Sequence, residues 1–194
     1  MADLEPAPPP QTTGEAGGRE DDATRIVELY LLRHADAGDP AAWPRDDAAR
    51  PLSGKGRRQA DAVGRWLAGL GRRPQVILTS PKVRAEQTAT AVARRLSLRS
   101  IVDDALAEEL TTEVVEALVE RHADEATRLL LVGHDPDFSD LASELTSSRL
   151  TLRKGAVARI DVGRPIEAGS GVLRWLIPPD ALPGMRSKGG SGKG

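Results

Sequence analysis

Cysteine is absent from the 194 residues, which excludes disulfides, thiol chemistry and cysteine-ligated metal. Aromatic residues make up only 3%, too few to build stacking platforms for single-stranded nucleic acid. Neither sign of charge dominates. A formal net charge of -2 gives no global field to draw in nucleic acid or an anionic membrane. Long apolar runs are missing too, and none approaches the length of a transmembrane helix. The N-terminal stretch has no signal-peptide core and is acidic and Arg-poor, unlike a mitochondrial presequence. These absences lead us to expect a cytoplasmic protein with neither nucleic acid nor membrane as partner.

What is present describes one globular domain. Hydrophobic residues are 39% and charged residues 29%, and the length suffices for a sizeable core. Residues 1–24 carry Pro6, Pro8-Pro9-Pro10 and Gly17-Gly18. Such a segment buries too little surface to offset its ordering entropy, so we expect an unstructured tail. Residues 183–194 are Gly-, Ser- and Lys-rich and are expected to form a flexible basic tail. The domain is placed at 25–182.

Within it, apolar runs alternate with amphipathic stretches. Strands are expected at 26–32, 75–79, near 98–102, and at 128–132, 156–162 and 172–177. Helices are expected at 55–70 with Ser53 as N-cap, after Pro81, at 111–122 and from about Pro136. Gly71 is expected to stop the first helix and Pro81 to sit in the first turn of the second. The alternation predicts an α/β fold: a mostly parallel sheet with helices on both faces and an antiparallel C-terminal portion.

Three strands deliver chemistry to their C-terminal ends. Leu29-Tyr30-Leu31-Leu32 runs into Arg33-His34. Val76-Ile77-Leu78 runs into Thr79-Ser80-Pro81-Lys82-Val83-Arg84. Leu129-Leu130-Leu131-Val132 runs into Gly133-His134. In open α/β sheets ligands bind at that edge. Arg33 and Arg84 suit bidentate contact with phosphate. His34 suits nucleophilic attack on phosphorus, and His134, when protonated, suits the equatorial oxygens. The helix after Pro81 can aim its N-terminus at the anion. Only two of the three histidines stand in this set, too few for a zinc site without cysteine.

Arg-His-Ala-Asp occurs again at 121–124. That copy follows Val114-Val115-Glu116-Ala117-Leu118-Val119, whose apolar positions trace one helix face. His122 is therefore read as a solvated residue at a helix C-terminus, where cations complement the dipole.

The chain resembles the histidine phosphatase superfamily, and within it the SixA-like phosphohistidine phosphatase branch. The likeness rests on Leu31-Leu32-Arg33-His34-Ala35-Asp36-Ala37, Arg50-Pro51-Leu52-Ser53 with Gly56, Ser80-Pro81-Lys82-Val83-Arg84-Ala85-Glu86-Gln87-Thr88-Ala89, and Leu131-Val132-Gly133-His134-Asp135-Pro136. It implies a three-layer α/β/α sandwich, His34 as nucleophile, a phosphate pocket of Arg33, Arg84 and His134, and no metal or other cofactor. Ala35 stands where many members have glycine, and Asp135 where asparagine is common. Larger relatives place an acid some twenty residues after the second arginine, and by that analogy Glu109 is the candidate proton donor. Glu108 and Asp36 are alternatives. The expected activity is phosphoric monoester or phosphoramidate hydrolysis, with a phosphorylated protein or a small phosphate ester as substrate. Short length without a lid-sized insertion favours phosphohistidine on a protein. A nucleotide or sugar phosphatase and a non-catalytic phosphate-binding module are the alternatives.

Overall fold

The computed structural model describes residues 26–123 and 126–185. Residues 1–24 and 186–194 of the expected tails lie outside them, whereas residues 183–185 of the expected C-terminal tail are described, with Met185 packed against the core. The sheet contains β1 (Val27–Arg33), β2 (Val76–Thr79), β3 (Ser100–Val102), β4 (Arg128–Gly133), β5 (Val157–Val162) and β6 (Val172–Ile177). Four helices join them: α1 (Gly54–Ala68), α2 (Val83–Leu96), α3 (Thr112–His122) and α4 (Asp137–Thr146). The spatial order is β3-β2-β4-β1-β5-β6. β3, β2, β4 and β1 pair in parallel, whereas β5 pairs antiparallel with both β1 and β6. The sheet is thus mostly parallel with an antiparallel C-terminal portion, as the alternation predicts.

Strand parity sorts the core into two layers. Successive side chains on a strand face opposite sides. Leu29, Leu31, Leu129 and Leu131 join α3 and α4 residues such as Leu118, Phe138 and Leu141 in one cluster. Tyr30, Leu32, Leu130 and Val132 join Val63, Leu67, Ala89 and Val92 of α1 and α2 in the other. The central strands are covered on both faces, which explains why they read as unbroken apolar runs. Glu28 interrupts that run yet is only 2% exposed. Its carboxylate is compensated by Arg72, by Arg159 at 3.2 Å and by the Tyr30 hydroxyl at 3.1 Å. Burial and the neighbouring Glu28 push the Tyr30 hydroxyl up to about 12.

The helix boundaries depart from expectation in two places. α1 ends at Ala68 with Gly69 as its C-cap, two residues before Gly71. Either glycine can leave a helix, and the nearer one does so. Pro81 lies before α2 and not in its first turn, because Lys82 takes the N-cap position. Ser53 caps α1 as expected, its Oγ accepting from Gly56 N at 3.0 Å. Gly56 is required there, since a Cβ would run into the carbonyl of Asp36. That close approach sets the start of α1 against the segment leaving β1.

The chain order explains where the site must lie. β1 passes to β2 through α1 on one face, whereas β4 passes to β5 through α4 on the other. β1 and β4 are nevertheless neighbours. The crevice at their C-terminal ends is therefore a topological switch point, the favoured ligand site of an open α/β sheet.

Candidate active site

The register of β1 on β4 pairs Arg33 with Gly133, and His34 N donates to Gly133 O at 2.9 Å. The next residues, His34 and His134, consequently stand side by side. By the parity that sends Leu32 and Val132 toward α1 and α2, both histidines fall on that same face. Their ring centroids are 5.2 Å apart. The first turn of α2 brings Arg84 to the same point, with its Nε 3.3 Å from His34 Nε2. The end of β2 adds Ser80, whose Oγ lies 2.8 Å from His134 Nε2. His34, His134 and Arg84 are all buried.

Hydrogen bonding fixes the tautomer of His34. Its Nδ1 is 2.8 Å from the carbonyl of Ala35. A carbonyl only accepts, so Nδ1 carries the hydrogen and Nε2 keeps its lone pair. The Arg84 Nε–H points at that lone pair. Burial draws the His34 pKa down to about 4, helped by the Arg84, Arg33 and Lys154 charges and opposed by the bond to Ala35. The His134 pKa is lowered to about 3, first by burial and then by His34, Arg84 and Lys82. Both imidazoles are therefore neutral near pH 7.

Arg84 is not idle in the absence of an anion. Its Nη1 donates to Asp47 O at 2.7 Å, and its Nη2 lies 3.0 Å from the Asp47 carboxylate. Asp47 opens a short 3-10 turn, Asp47–Ala49, in the loop between β1 and α1. It also accepts from Arg50 Nε at 2.8 Å, while Arg50 reaches back to Ala37 O. This half-exposed carboxylate thus occupies the face of Arg84 that a phosphate would use. Sequence reasoning missed Asp47, and Ser80 as a partner of His134. Neither carries a local signal, because each acquires its role through a contact distant in sequence.

Arg33 is arranged differently. Its odd parity turns it away from the histidines' face, and its Nη1 donates to Leu152 O at 2.7 Å and to Asp135 at 3.2 Å. Asp135 also accepts from Ser139 Oγ. It serves Arg33 and α4, and His134 is drawn down and not up. Two buried nitrogens, Arg33 Nε and His134 Nδ1, find no hydrogen-bond partner among the described residues. Buried polar atoms are normally paired, and the oxygens of a bound anion would supply what these two lack. Ala35, where glycine is common, is fully buried against Leu52 and Ala60, and its N–H is held by Thr88 Oγ1 at 3.1 Å.

Glu109 is exposed, between a 3-10 turn at Asp104–Ala107 and α3. His122 closes α3 and is not among the residues that contact His34, His134 or Arg84. It is not solvated as expected: its side chain is 16% exposed and its Nε2 lies 2.8 Å from Asp103 Oδ2, which Arg121 also holds at 2.8 Å. Asp103 caps the 3-10 turn through Ala105 N, so the second Arg-His pair ties α3 to the end of β3. Among the described residues, no three His, Asp or Glu side chains group closely enough to hold a metal ion.

Two imidazoles and a buried arginine meet at the sheet's switch point, an arrangement suited to phosphoryl transfer. Residues 29–144 match the histidine phosphatase superfamily (branch 1), and the chain belongs to that superfamily. Among curated proteins it is 28% identical over 160 residues to the phosphohistidine phosphatase SixA of Escherichia coli, covering 79% of this chain and 94% of SixA. It is 35% identical over 143 residues to an uncharacterized protein of Picosynechococcus, covering 71% and 86% of the two chains. Of solved structures, SixA complexed with tungstate superposes with a TM-score of 0.66 at 25% identity, over 79% of this chain and 97% of that one. A mycobacterial glucosyl-3-phosphoglycerate phosphatase shares the fold at 19% identity and a TM-score of 0.58 over 77% and 98%. The protein is a phosphatase of the SixA-like branch. No helix of the described residues is long and apolar enough to cross a membrane.

Proposed function

We propose that the protein is a metal-independent phosphatase that removes phosphoryl groups from histidine in proteins through a phosphorylated His34. The observation that carries this reading is the His34 tautomer: Nδ1–H is committed to Ala35 O, so the lone pair is on Nε2, where it accepts from Arg84 Nε at 3.3 Å. In the first step Nε2 attacks phosphorus as the bond to the leaving nitrogen breaks. With the other ring nitrogen of the phosphohistidine protonated, the leaving nitrogen takes the bonding pair and departs as a neutral imidazole, while His34 keeps its Nδ1–H and becomes the phosphorylated imidazolium. Water then attacks the phosphorus of phospho-His34, the His34–phosphorus bond breaks, and inorganic phosphate leaves.

Arg84 exchanges the Asp47 carboxylate for phosphoryl oxygens. Its fork suits two of them at once. A dianion beside His134 favours the protonated imidazole, so His134 gains a proton as substrate binds and stabilises the equatorial oxygens. Arg33, whose Nε has no partner among the described residues, adds a further cation to the phosphoryl site. For an oxygen leaving group a proton donor is needed, and we assign this to Glu109. Glu109→Gln should therefore slow an alkyl phosphate several-fold more than a phosphoramidate. Equal losses on both substrates would overturn that assignment.

The similarity to SixA over nearly its whole length supports a protein substrate. The small-molecule alternative draws on the fold shared with a sugar-phosphate phosphatase. Side-by-side turnover of phosphohistidine proteins, nucleotides and sugar phosphates decides between them, and the expected preference is for the first. Rapid quench with labelled substrate should trap an acid-labile, base-stable phosphoenzyme. Its absence during active turnover would rule out the covalent route.

A further inference from the structure

A pocket of about 300 Å³ is lined by Arg33, the residue before His34, with Lys55, Arg153, Lys154, Asp36, Pro179 and the buried Gln59. Four of these seven side chains are cationic and one is anionic. The single carboxylate, Asp36, accepts from Ser53 Oγ at 2.5 Å and from Gly38 N at 3.4 Å and feels the Lys154 and Lys55 charges, so the cations outnumber it. Arg33 is paired with Asp135, and Arg153 only loosely with Asp180, at 3.6 Å between two exposed groups. Lys55 and Lys154 have no carboxylate within ion-pair distance among the described residues. Lys154 is nonetheless half-buried, and its ammonium lies 3.5 Å from the carbonyl of Gly38.

The pocket is fastened to the nucleophile. Gly155, in the left-handed region at φ +78°, reverses the chain after Lys154. Its N–H is shared between the carbonyls of Arg33 at 3.1 Å and His34 at 3.0 Å. The cationic loop 153–154 therefore cannot drift from His34 without breaking that contact. The backbone of the exposed Lys55 is fixed too, in the first turn of a helix capped by Ser53 and pressed onto Asp36 through Gly56. The charge of Lys154 also contributes to the lowered pKa of His34. Concentrated like charge beside a buried reaction centre is unfavourable unless an anion relieves it.

We propose that this pocket is a second anion subsite, which takes a carboxylate or phosphate carried by the substrate close to the phosphoryl group it loses. The proposal rests on the phosphatase reading above and adds a selection rule to it: substrates with an acidic neighbour are preferred over neutral ones. Lys55 and Lys154 are the specificity-determining residues, with Arg153 at the rim and Arg33 shared with the phosphoryl site.

The test is binding, so that it does not depend on turnover. Affinities would be titrated for 3-phosphonopropionate against propylphosphonate. A peptide bearing a non-hydrolysable phosphohistidine analogue would be measured with flanking glutamates and with flanking glutamines. In wild type the extra anion should tighten binding roughly fivefold, the scale of one or two solvent-facing charge contacts, and the gain should fall with added salt. In Lys55→Gln/Lys154→Gln the gap should close. A gain confined to the peptide pair supports the subsite with a protein carboxylate as its occupant. A gain confined to the small pair supports it with a small dianionic substrate. No gap for either pair in wild type, or a gap that survives in the double variant, overturns the subsite. Failure of the phosphatase reading would show separately, as absent turnover with intact phosphonate binding.

Discussion

Arg-His-Ala-Asp stands at 33–36 and again at 121–124, and its first two residues do opposite things in the two copies. Arg33-His34 ends a strand buried on both faces, so parity throws the two side chains to opposite sides of the sheet edge. His34 meets Arg84 and His134, while Arg33 meets Asp135 and Leu152. Arg121-His122 ends a helix, where consecutive residues lie only about 100° apart. Both side chains therefore reach one carboxylate, Asp103. The first pair is left with an imidazole lone pair met by Arg84 Nε and, among the described residues, a buried Arg33 nitrogen lacking a partner. The second has its charge matched. A motif's chemistry is decided by the element that carries it, because that element sets which neighbours each side chain can find.

The largest expected effect tests this contrast directly. His34→Ala should lower turnover by roughly a thousandfold or more, the scale on which losing a covalent nucleophile acts, and should abolish the trapped phosphoenzyme. A His34→Ala protein that keeps both label and rate would transfer the nucleophile's role to another residue, with His122 the first to examine.

Arg84 comes next. Arg84→Ala should cost about 10²–10³ in rate and about ten- to a hundredfold in phosphate or vanadate affinity, as expected for charge-assisted hydrogen bonds of 1.5–3 kcal/mol. Arg84→Lys should not restore either, because an ammonium lacks the fork. Unchanged anion affinity in Arg84→Ala would mean that the Asp47–Arg84 pair is structural, like the Asp103 cluster, and is not a contact that an anion replaces.

The pH dependence of folding sharpens the comparison from the stability side. The folded-state pKa values of His34 and His134 are about 4 and about 3, whereas an unfolded imidazole titrates near 6.5. Between about pH 4 and 6.5 the unfolded chain binds protons that the folded one refuses. Stability therefore rises with pH through that window and is level above it as far as these two groups are concerned. Each histidine contributes a slope of roughly 1.4 kcal/mol per pH unit well inside the window. Denaturant titrations at pH 5 and pH 7 should show the difference shrinking in His34→Ala and again in His134→Ala. A pH 5 to 7 difference that persists in both variants would mean that their burial does not control the acid limb.

How much of this was legible in the sequence follows from the range of the interactions involved. The strands, their ends and the pairing of two histidines with Arg84 were readable, because parity and strand-end position are local properties. The helix caps were partly readable: Ser53 has a side-chain signature, while Gly69 and Gly71 compete on equal terms. The Asp47–Arg84 contact spans 37 residues, and the cationic pocket draws on 33–36, 55–59 and 153–154. Nothing in the spacing of those segments announces that they meet. Glu28 was hidden for the opposite reason: its charge is cancelled by Arg72 and Arg159, so a carboxylate can sit within an apolar strand. The solvated reading of His122 failed because its partner, Asp103, lies beyond the helix that suggested it.

The smallest effect belongs to that second histidine. His122→Ala removes one hydrogen bond to a largely buried carboxylate that keeps Arg121 and Ala105 N as partners. Burial works against the Asp103 charge, and the bonds from His122, Ala105 N and Arg121 hold its pKa below the usual carboxylate value. Losing one of the three should cost about 1 kcal/mol of stability, seen as a lower denaturation midpoint with an unchanged slope. Turnover and anion affinity should stay at wild-type levels, because the bond from Asp103 N to Thr79 O, which joins this cluster to the strand end before Ser80, is a backbone contact that the substitution leaves in place. Arg121→Ala should behave in the same way, and the double variant should lose more than the sum of the two, since Asp103 would then keep only its backbone partner. A His122→Ala protein that folds normally but loses turnover would show that the two Arg-His copies are coupled, and the separation drawn between them would fail.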